Sequence, residues 1–420
     1  MRILFLTPQL PYPPHQGTTI RNYNLIANLA SRHEIHLLSF VHAHDEVERA
    51  TPLHQHCRSI TPVLAPHRSP RKRFLSLFLS PLPDMALRLP SAEFRAKLSA
   101  TLRRVPFDVV QIEGIEMAPH WMDWRISNTQ YPISIFDDHN AEYVLQQRAF
   151  ETDVRHPRRW VAALYSFIQW KKLSRYEARV CRLADGVVAV SEADKTALQR
   201  LVPGLEVAVV PNGVDIEFYN DQARFGHWDL VIGHWSLVFT GKMDFRPNVD
   251  AVLWFCQEVL PLVRRQVPDV HFYVVGQSPH RRVLRLADDP AVIVTDRVDD
   301  VRPYIAGACV YVVPLRIGGG TRLKVLEAMA MGKAIVSTSL GCEGFAGLVS
   351  GRELALADTA EDFARQIIEL LGDASRRERL GRAARRFVEE RYDWRHIVPK
   401  LEELYETAGE RAVGNSGELG

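Results

Sequence analysis

Thr321, Lys324 and Glu327 recur at a spacing of three residues directly behind the run Gly318-Gly319-Gly320. On a helix that spacing puts all three on one side, with Lys324 one turn in and Glu327 about two. A helix start behind a glycine loop offers free N–H groups and the positive end of the helix dipole, so it attracts anions. Lys324 can then hold a diphosphate while Glu327 accepts hydrogen bonds from sugar hydroxyls, and Gly320 and Thr321 bring backbone and hydroxyl donors close to the phosphate. Arg316 and Arg322 flank the glycines and offer further phosphate contacts. A glycine turn followed by a solvated charged face has the same composition, and both readings stand on these residues alone. Two better-known phosphate motifs do not fit. The dinucleotide fingerprint needs a glycine where Leu323 stands, and the triphosphate loop needs Ser or Thr where Met243 follows Gly241-Lys242 and Ala334 follows Gly332-Lys333.

A second candidate is His139, which ends the apolar run Ile133 to Phe136 among Asp137, Asp138, Asn140 and Glu142. A metal site there is disfavoured, because consecutive strand residues point to opposite faces and no Asp-x-Asp spacing is present. Gly17 lies in the loop before the first long helix, with Thr18 as a plausible cap, and its missing side chain would let the backbone approach a ligand.

The elements that must position these residues alternate from end to end. Strands are expected at Ile3 to Leu6, Ile35 to Phe40, Val109 to Ile112, Ile133 to Phe136 and Val187 to Val190. A second set follows at Leu237 to Thr240, Phe272 to Val275, Val292 to Val294, Val310 to Val313 and Ile335 to Ser337. Helices lie between them, which predicts an α/β chain of two doubly wound, Rossmann-like domains facing a cleft. The first domain is read over 1–207 and the second over 208–385. A C-terminal helix over 386–408 returns to the first domain, and a polar, glycine-rich tail over 409–420 is expected to be disordered.

With 420 residues, 52 basic and 50 acidic, the chain has no global field that recruits nucleic acid. Five widely spaced cysteines without a Cys-x-x-Cys pair fit a reducing cytoplasm. Met1 to Leu6 is too short an apolar run for a signal peptide, and no run approaches the roughly 20 residues of a membrane span. A cytoplasmic protein is expected. The segment Arg71 to Leu79 joins a basic cluster to an apolar run, so that 71–80 reads either as a peripheral contact with the inner face of a membrane or as a core helix with a basic start.

Several motifs line up in order: Gln16-Gly17-Thr18, His139-Asn140, Val187 to Ser191, Pro211-Asn212-Gly213-Val214-Asp215, Gly241-Lys242-Met243 and the glycine run with Lys324 and Glu327. Together they resemble group 1 (family 4) glycosyltransferases of the GT-B fold, over nearly the whole chain. Phe136 to Glu142 and Pro247-Asn248 are similar to sugar transferases of exopolysaccharide and exosortase-associated clusters. The resemblance implies a retaining transfer from a nucleotide-diphosphate sugar to a glycan or lipid-linked acceptor, with no metal and no cofactor beyond that co-substrate. It implies that His139 bonds the donor sugar or supports the reacting centre, that Gly17 approaches the sugar phosphate, and that Lys242, in place of the usual arginine, and Arg246 hold the diphosphate. Glu327 matches the second of the family's two glutamates and would bind the donor ribose. Gly319 stands where the first is usual. Same-face attack with the leaving phosphate as base is the favoured route, with Asp137, Asp138 or Glu142 as nucleophile left open. A catalytically inactive sugar-binding scaffold and a nucleotide-dependent oxidoreductase are the alternatives.

Overall fold

The computed structural model describes the chain except residues 15, 44, 128–130, 156, 221–234, 319–321 and 418–420, and except the side chains of 70, 72, 158 and 412–417. It falls into two units, Met1–Pro211 with Ile397–Gly420, and Asn212–His396.

The first unit carries seven parallel strands: β1 (Arg2–Thr7), β2 (Glu34–Val41), β3 (Ser59–Leu64), β4 (Val109–Glu113), β5 (Ile133–Asp138), β6 (Gly186–Ala189) and β7 (Ala208–Val209), in the order β3-β2-β1-β4-β5-β6-β7. The second carries six: β8 (Ser236–Thr240), β9 (His271–Val275), β10 (Val292–Val294), β11 (Val310–Val313), β12 (Ile335–Ser337) and β13 (Ala355–Leu356), in the order β10-β9-β8-β11-β12-β13. Helices cover both faces, so the central strands are apolar throughout rather than alternating, which is why ten of them are legible as short apolar runs. The three that are not lie at sheet edges. β3 is half exposed and contains Pro62, while β7 and β13 have two residues each, too few to show a period. Each sheet reverses its strand order beside its first strand, between β1 and β4 and between β8 and β11. Ligands of such sheets bind at the carboxyl ends of the strands at that reversal.

The C-terminal helix does return to the first unit, but its limits differ from those expected. Residues 386–391 end the preceding helix, Ala374–Arg391, because Phe387 and Val388 extend the apolar stripe of Leu380 and Ala384 into the second core. The returning helix is Trp394–Gly417, of which Ile397 onward belongs to the first unit. Tyr405 and Ala408 are buried there, and Glu402 accepts from Arg32 and His33. The tail read as disordered from Gly409 is helical as far as Gly417, since those anchored turns and the Arg411–Glu206 pair let the helix propagate at little cost. The remainder, 418–420, lies outside the described residues.

Candidate functional site

In the first unit the carboxyl ends of β4 and β5 carry an ion network fed by the helix Gly17–Leu29. Arg21 on that helix is 1% exposed, and its Nε and Nη2 donate to Asp137 Oδ2 at 3.0 and 2.7 Å, while Nη1 reaches the Pro211 carbonyl at 3.1 Å. Glu113, the last residue of β4 and fully buried, accepts at Oε2 from His139 Nε2 at 2.8 Å and at Oε1 from Gln111 Nε2 at 3.1 Å. Asn22, with its amide nitrogen turned towards Glu113, adds a third donor at 2.7 Å. Behind Gln111 the hydroxyl of Tyr405 donates to Oε1 at 3.1 Å, so the C-terminal helix buttresses the same row. Glu113 thereby fixes the ring of His139 and leaves Nδ1 as its other polar atom.

Burial alone would lower the His139 pKa, but the hydrogen bond and charge of Glu113, with Asp137, more than offset it and hold the imidazole above its ordinary value. Glu113, Asp137 and His139 present ligand-type atoms within 4.8 Å of one another, a grouping that can hold a metal. Here the Arg21 guanidinium supplies the positive charge to Asp137.

Asp138 points to the other face of β5, where burial and the neighbouring carboxyl of Glu177 push its pKa well up. Burial also raises Glu177, to about 7, although its hydrogen bonds with Asp138 and with the N–H groups of Glu142 and Tyr143, at 2.8 and 3.1 Å, pull the other way. Burial and the neighbouring like charge thus favour the neutral form of both carboxyls. Beside them a cavity of about 690 Å³ is lined by Gln16, Thr18, Arg68, Arg73, Arg88, Glu116, Asp138, His139, Asn140 and Glu142. Its arginines are paired, Arg68 and Arg73 with Asp84 and Arg88 with Glu116. Burial and the charges of Glu177 and Glu116 raise Glu142 to about 8.

In the second unit Lys324 is the second residue of the helix Leu323–Ala330, so it sits in the first turn rather than one turn in, because the helix starts two residues later than the sequence suggests. Its Nζ donates to Asn248 Oδ1 at 2.9 Å and lies 3.9 Å from the centre of the Phe239 ring. Burial first, then the charge of Arg322, lower its pKa to about 7, with Glu327 opposing. Gly241 makes this approach possible. With φ at +153°, a Cβ there would stand 2.7 Å from Lys324 Nζ. Glu327 is half-buried against the Tyr219 hydroxyl, with its pKa raised by burial and pulled back by that hydrogen bond and by Lys324. Lys242 and Arg246 lie on the exposed loop and helix start after β8, where Lys242 pairs with Asp244 at 3.5 Å. Arg316 pairs with Asp250 at 3.1 Å. Gly319, Gly320 and Thr321 lie outside the described residues.

Two family descriptions match this chain: "Glycosyltransferase Family 4" over residues 15–218 and "Glycosyl transferases group 1" over residues 235–373. The chain belongs to the group 1, family 4 glycosyltransferases. Among relatives of this glycosyltransferase family member, an uncharacterised 44.6 kDa protein in the cps region of Klebsiella pneumoniae is 26% identical over 174 residues, 40% of this chain and 45% of that protein. A phosphatidyl-myo-inositol mannosyltransferase of Mycolicibacterium smegmatis is 29% identical over 238 residues, 53% and 57% of the two chains. The chain thus spans about half the length of the curated relatives it matches. Among solved structures, sucrose-phosphate synthase from Thermosynechococcus elongatus superposes with a TM-score of 0.72 at 17% identity, covering 97% of this chain and 99% of that one. Anabaena HepE in complex with UDP gives 0.66 at 17% identity, covering 97% and 100%. At these identities the structures establish the fold, two Rossmann-like domains of the GT-B class.

Of the residues singled out in the sequence, the structure gathers Lys324 and Glu327 on one helix and sets His139 in the first-unit cavity. Gly17 is the exposed first residue of its helix, between the cavity-lining Gln16 and Thr18. Thr18 is not the cap. Gln16 holds that position and its N–H donates to Thr19 Oγ1 at 3.1 Å. Arg21, Glu113, Glu177, Asn248 and Tyr219 were not foreseen. For two of them a signal existed: Arg21 and Asn22 sit at core spacing with Leu25, Ile26 and Leu29, and Gln111 and Glu113 fall on one face of an otherwise apolar strand.

Proposed function

We propose that this chain transfers a sugar, with retention and without a metal, from a nucleotide-diphosphate sugar to a hydroxyl of a glycan or lipid-linked acceptor in polysaccharide or glycoconjugate synthesis. The observation that carries the reading is Lys324, held by Asn248 in the first turn of a helix at the strand-order reversal of the second sheet. Its ammonium and the helix N–H groups meet the growing charge of a departing diphosphate, which is where preorganised donors lower a barrier most. Glu327, oriented by Tyr219, supplies the acceptor for donor hydroxyls, and Lys242, Arg246, Gly320 and Thr321 are further donor-binding groups. HepE has been solved with UDP and with UDP-glucose, and the Klebsiella relative lies in a cps region, both of which agree with this assignment.

The first unit favours same-face attack over a carboxylate nucleophile. Asp137 is tied to Arg21, and burial with neighbouring carboxyls pushes the pKa of Asp138 well up and that of Glu142 to about 8, which disfavours each as a free carboxylate. His139 then supports the donor sugar through Nδ1.

Thermal melts against a panel of UDP-, GDP- and ADP-sugars test the donor assignment. A matching donor at a hundred times its Kd adds about 2.7 kcal/mol of stability, and nucleotide release with a hydroxyl acceptor should follow. A panel with no shift anywhere refutes the assignment, and a shift without release or hydrolysis would make the chain the inactive scaffold.

A further inference from the structure

Two neighbouring helices of the first unit turn large apolar side chains outward. The helix Pro70–Leu79 buries Leu77 but leaves Phe74, Leu75, Phe78 and Leu79 between 56 and 80% exposed, so it is not the core helix that its apolar run allowed. The helix Trp160–Leu183 leaves Trp160, Val161 and Leu164 between 58 and 87% exposed. Single exposed apolar residues are ordinary, but a cluster on adjoining elements marks a surface that binds something.

The helices are clamped together along one stripe. Lys172 Nζ donates to the Leu77 and Ser80 carbonyls at 2.6 Å each, and Gln169 accepts from the Asp84 N–H at 2.8 Å, with Asp84 in turn accepting from Arg73 at 3.0 Å.

Charge identifies the occupant. Residues 66–83 and 154–176 together hold ten Lys and Arg and not one Asp or Glu, and Arg71, Arg155 and Lys171 are exposed, with Lys171 Nζ 4.0 Å from the Trp170 ring centre. Arg68 and Arg73 are paired with Asp84 and Arg159 with Asp153, yet the patch keeps an excess of cations, which a second copy would set against its own. Nucleic acid would gain from the cations but not from Val161, Leu164 and Leu79. Basic residues around aliphatic and aromatic side chains, on helices without an apolar stretch long enough to span, are what an anionic bilayer surface accepts. Among the described residues no helix is long and apolar enough to cross a membrane.

We propose that this helix pair docks on an anionic lipid bilayer. Arg73 belongs to the docking helix and also lines the cavity that holds His139, so docking brings that cavity to the lipid surface, where a lipid-linked acceptor presents its hydroxyl. The surface itself stands without the transfer reading, and its test uses no sugar.

The full chain is floated with vesicles of phosphatidylcholine alone and of phosphatidylcholine mixed equally with phosphatidylglycerol. It should partition onto the mixed vesicles and release as salt rises. Phe74→Ser with Phe78→Ser, and separately Val161→Ser with Leu164→Ser, should each weaken partitioning roughly tenfold or more. Both variants should melt with the wild type, since the replaced side chains already face solvent. Three results overturn the proposal: no preference for the anionic vesicles, loss confined to the Phe74 pair, or a wild-type dimer that the variants dissolve while no form binds vesicles.

Discussion

The two units share a strand order and put their charged groups at the same place in it, yet they manage charge differently. In the first, Arg21, Asp137 and Glu113 are buried, His139 is half-buried, and all four are partnered, so the network holds a shape whether or not a ligand is present. In the second, Lys324 has a neutral amide and an aromatic ring as its near partners, and its charge is left short of compensation. The first arrangement fixes geometry. The second stores an unmet demand for an anion, which a diphosphate would satisfy.

The sharpest way to separate them is to remove one cation from each. Arg21→Met leaves the Asp137 carboxylate buried without its partner, and breaking a buried pair from one side costs about 3–5 kcal/mol, to be read from urea denaturation. Lys324→Ala should do the opposite. It should lower kcat/KM by about 100-fold or more and abolish thermal stabilisation by the donor, while the unliganded protein melts no lower than wild type. If Lys324→Ala destabilises the fold as much as Arg21→Met does, the contrast between the units is wrong.

Lys324 also sets a pH signature. Its pKa in the folded chain is about 7 against an ordinary lysine value near 10.4, so the unfolded chain binds more protons between those values. Stability without ligand therefore rises as pH increases from about 7 towards 10. Donor affinity falls over the same range, by about fivefold from pH 7 to pH 8 for a single site that must be charged. Calorimetric titration with the donor's nucleoside diphosphate across this range, beside melts of the free protein, checks both signs, and a parallel rise would contradict the role given to this lysine.

Glu113→Gln tests whether the first unit's network acts through His139. Glu113 raises the His139 pKa, so its loss lets burial prevail and the value drops, observable in a histidine-selective NMR titration. A hydrogen bond to a charged group contributes about 1.5–3 kcal/mol, so kcat should fall roughly tenfold or more with donor affinity unchanged. A fall in affinity with kcat intact would move His139 from supporting the reaction to binding the donor.

The legibility of the two sites differs for the same reason. Lys324 and Glu327 stand out because local spacing behind a glycine run is enough to put them together, and only the helix start was misjudged. The first-unit site is assembled by long-range register. Arg21 meets Asp137 across 116 positions, and Tyr405 meets Gln111 across 294. His139 was found through the family motif, whereas Glu113 shows in the sequence only as a polar residue closing an apolar strand, and its role emerges once β4 is known to lie beside β5, with Glu113 opposite Asp137. The edge strands were missed because they bury too little to show a pattern. The exposed stripe at Trp160 to Leu164 was missed because an amphipathic helix reads alike whether its apolar face meets a core or a membrane.

The smallest expected effect falls on the longest of these contacts. Tyr405→Phe removes the hydroxyl that donates to Gln111 Oε1 and keeps the ring, so no cavity opens. A typical internal hydrogen bond contributes about 1 kcal/mol, and leaving a buried amide oxygen unpaired brings the cost to about 1–3 kcal/mol of stability. The Gln111 side chain still donates to Glu113, so His139 keeps its partner, and kcat should change less than threefold, roughly within the effect of one lost neutral hydrogen bond. Should Tyr405→Phe lower kcat as far as Glu113→Gln does, and lower the His139 pKa with it, the C-terminal helix would be setting the position of Glu113 and not merely covering it. The site would then extend from His139 through Glu113 and Gln111 into the last helix of the chain, and truncations at the C-terminus would have to be read as changes to the reacting centre.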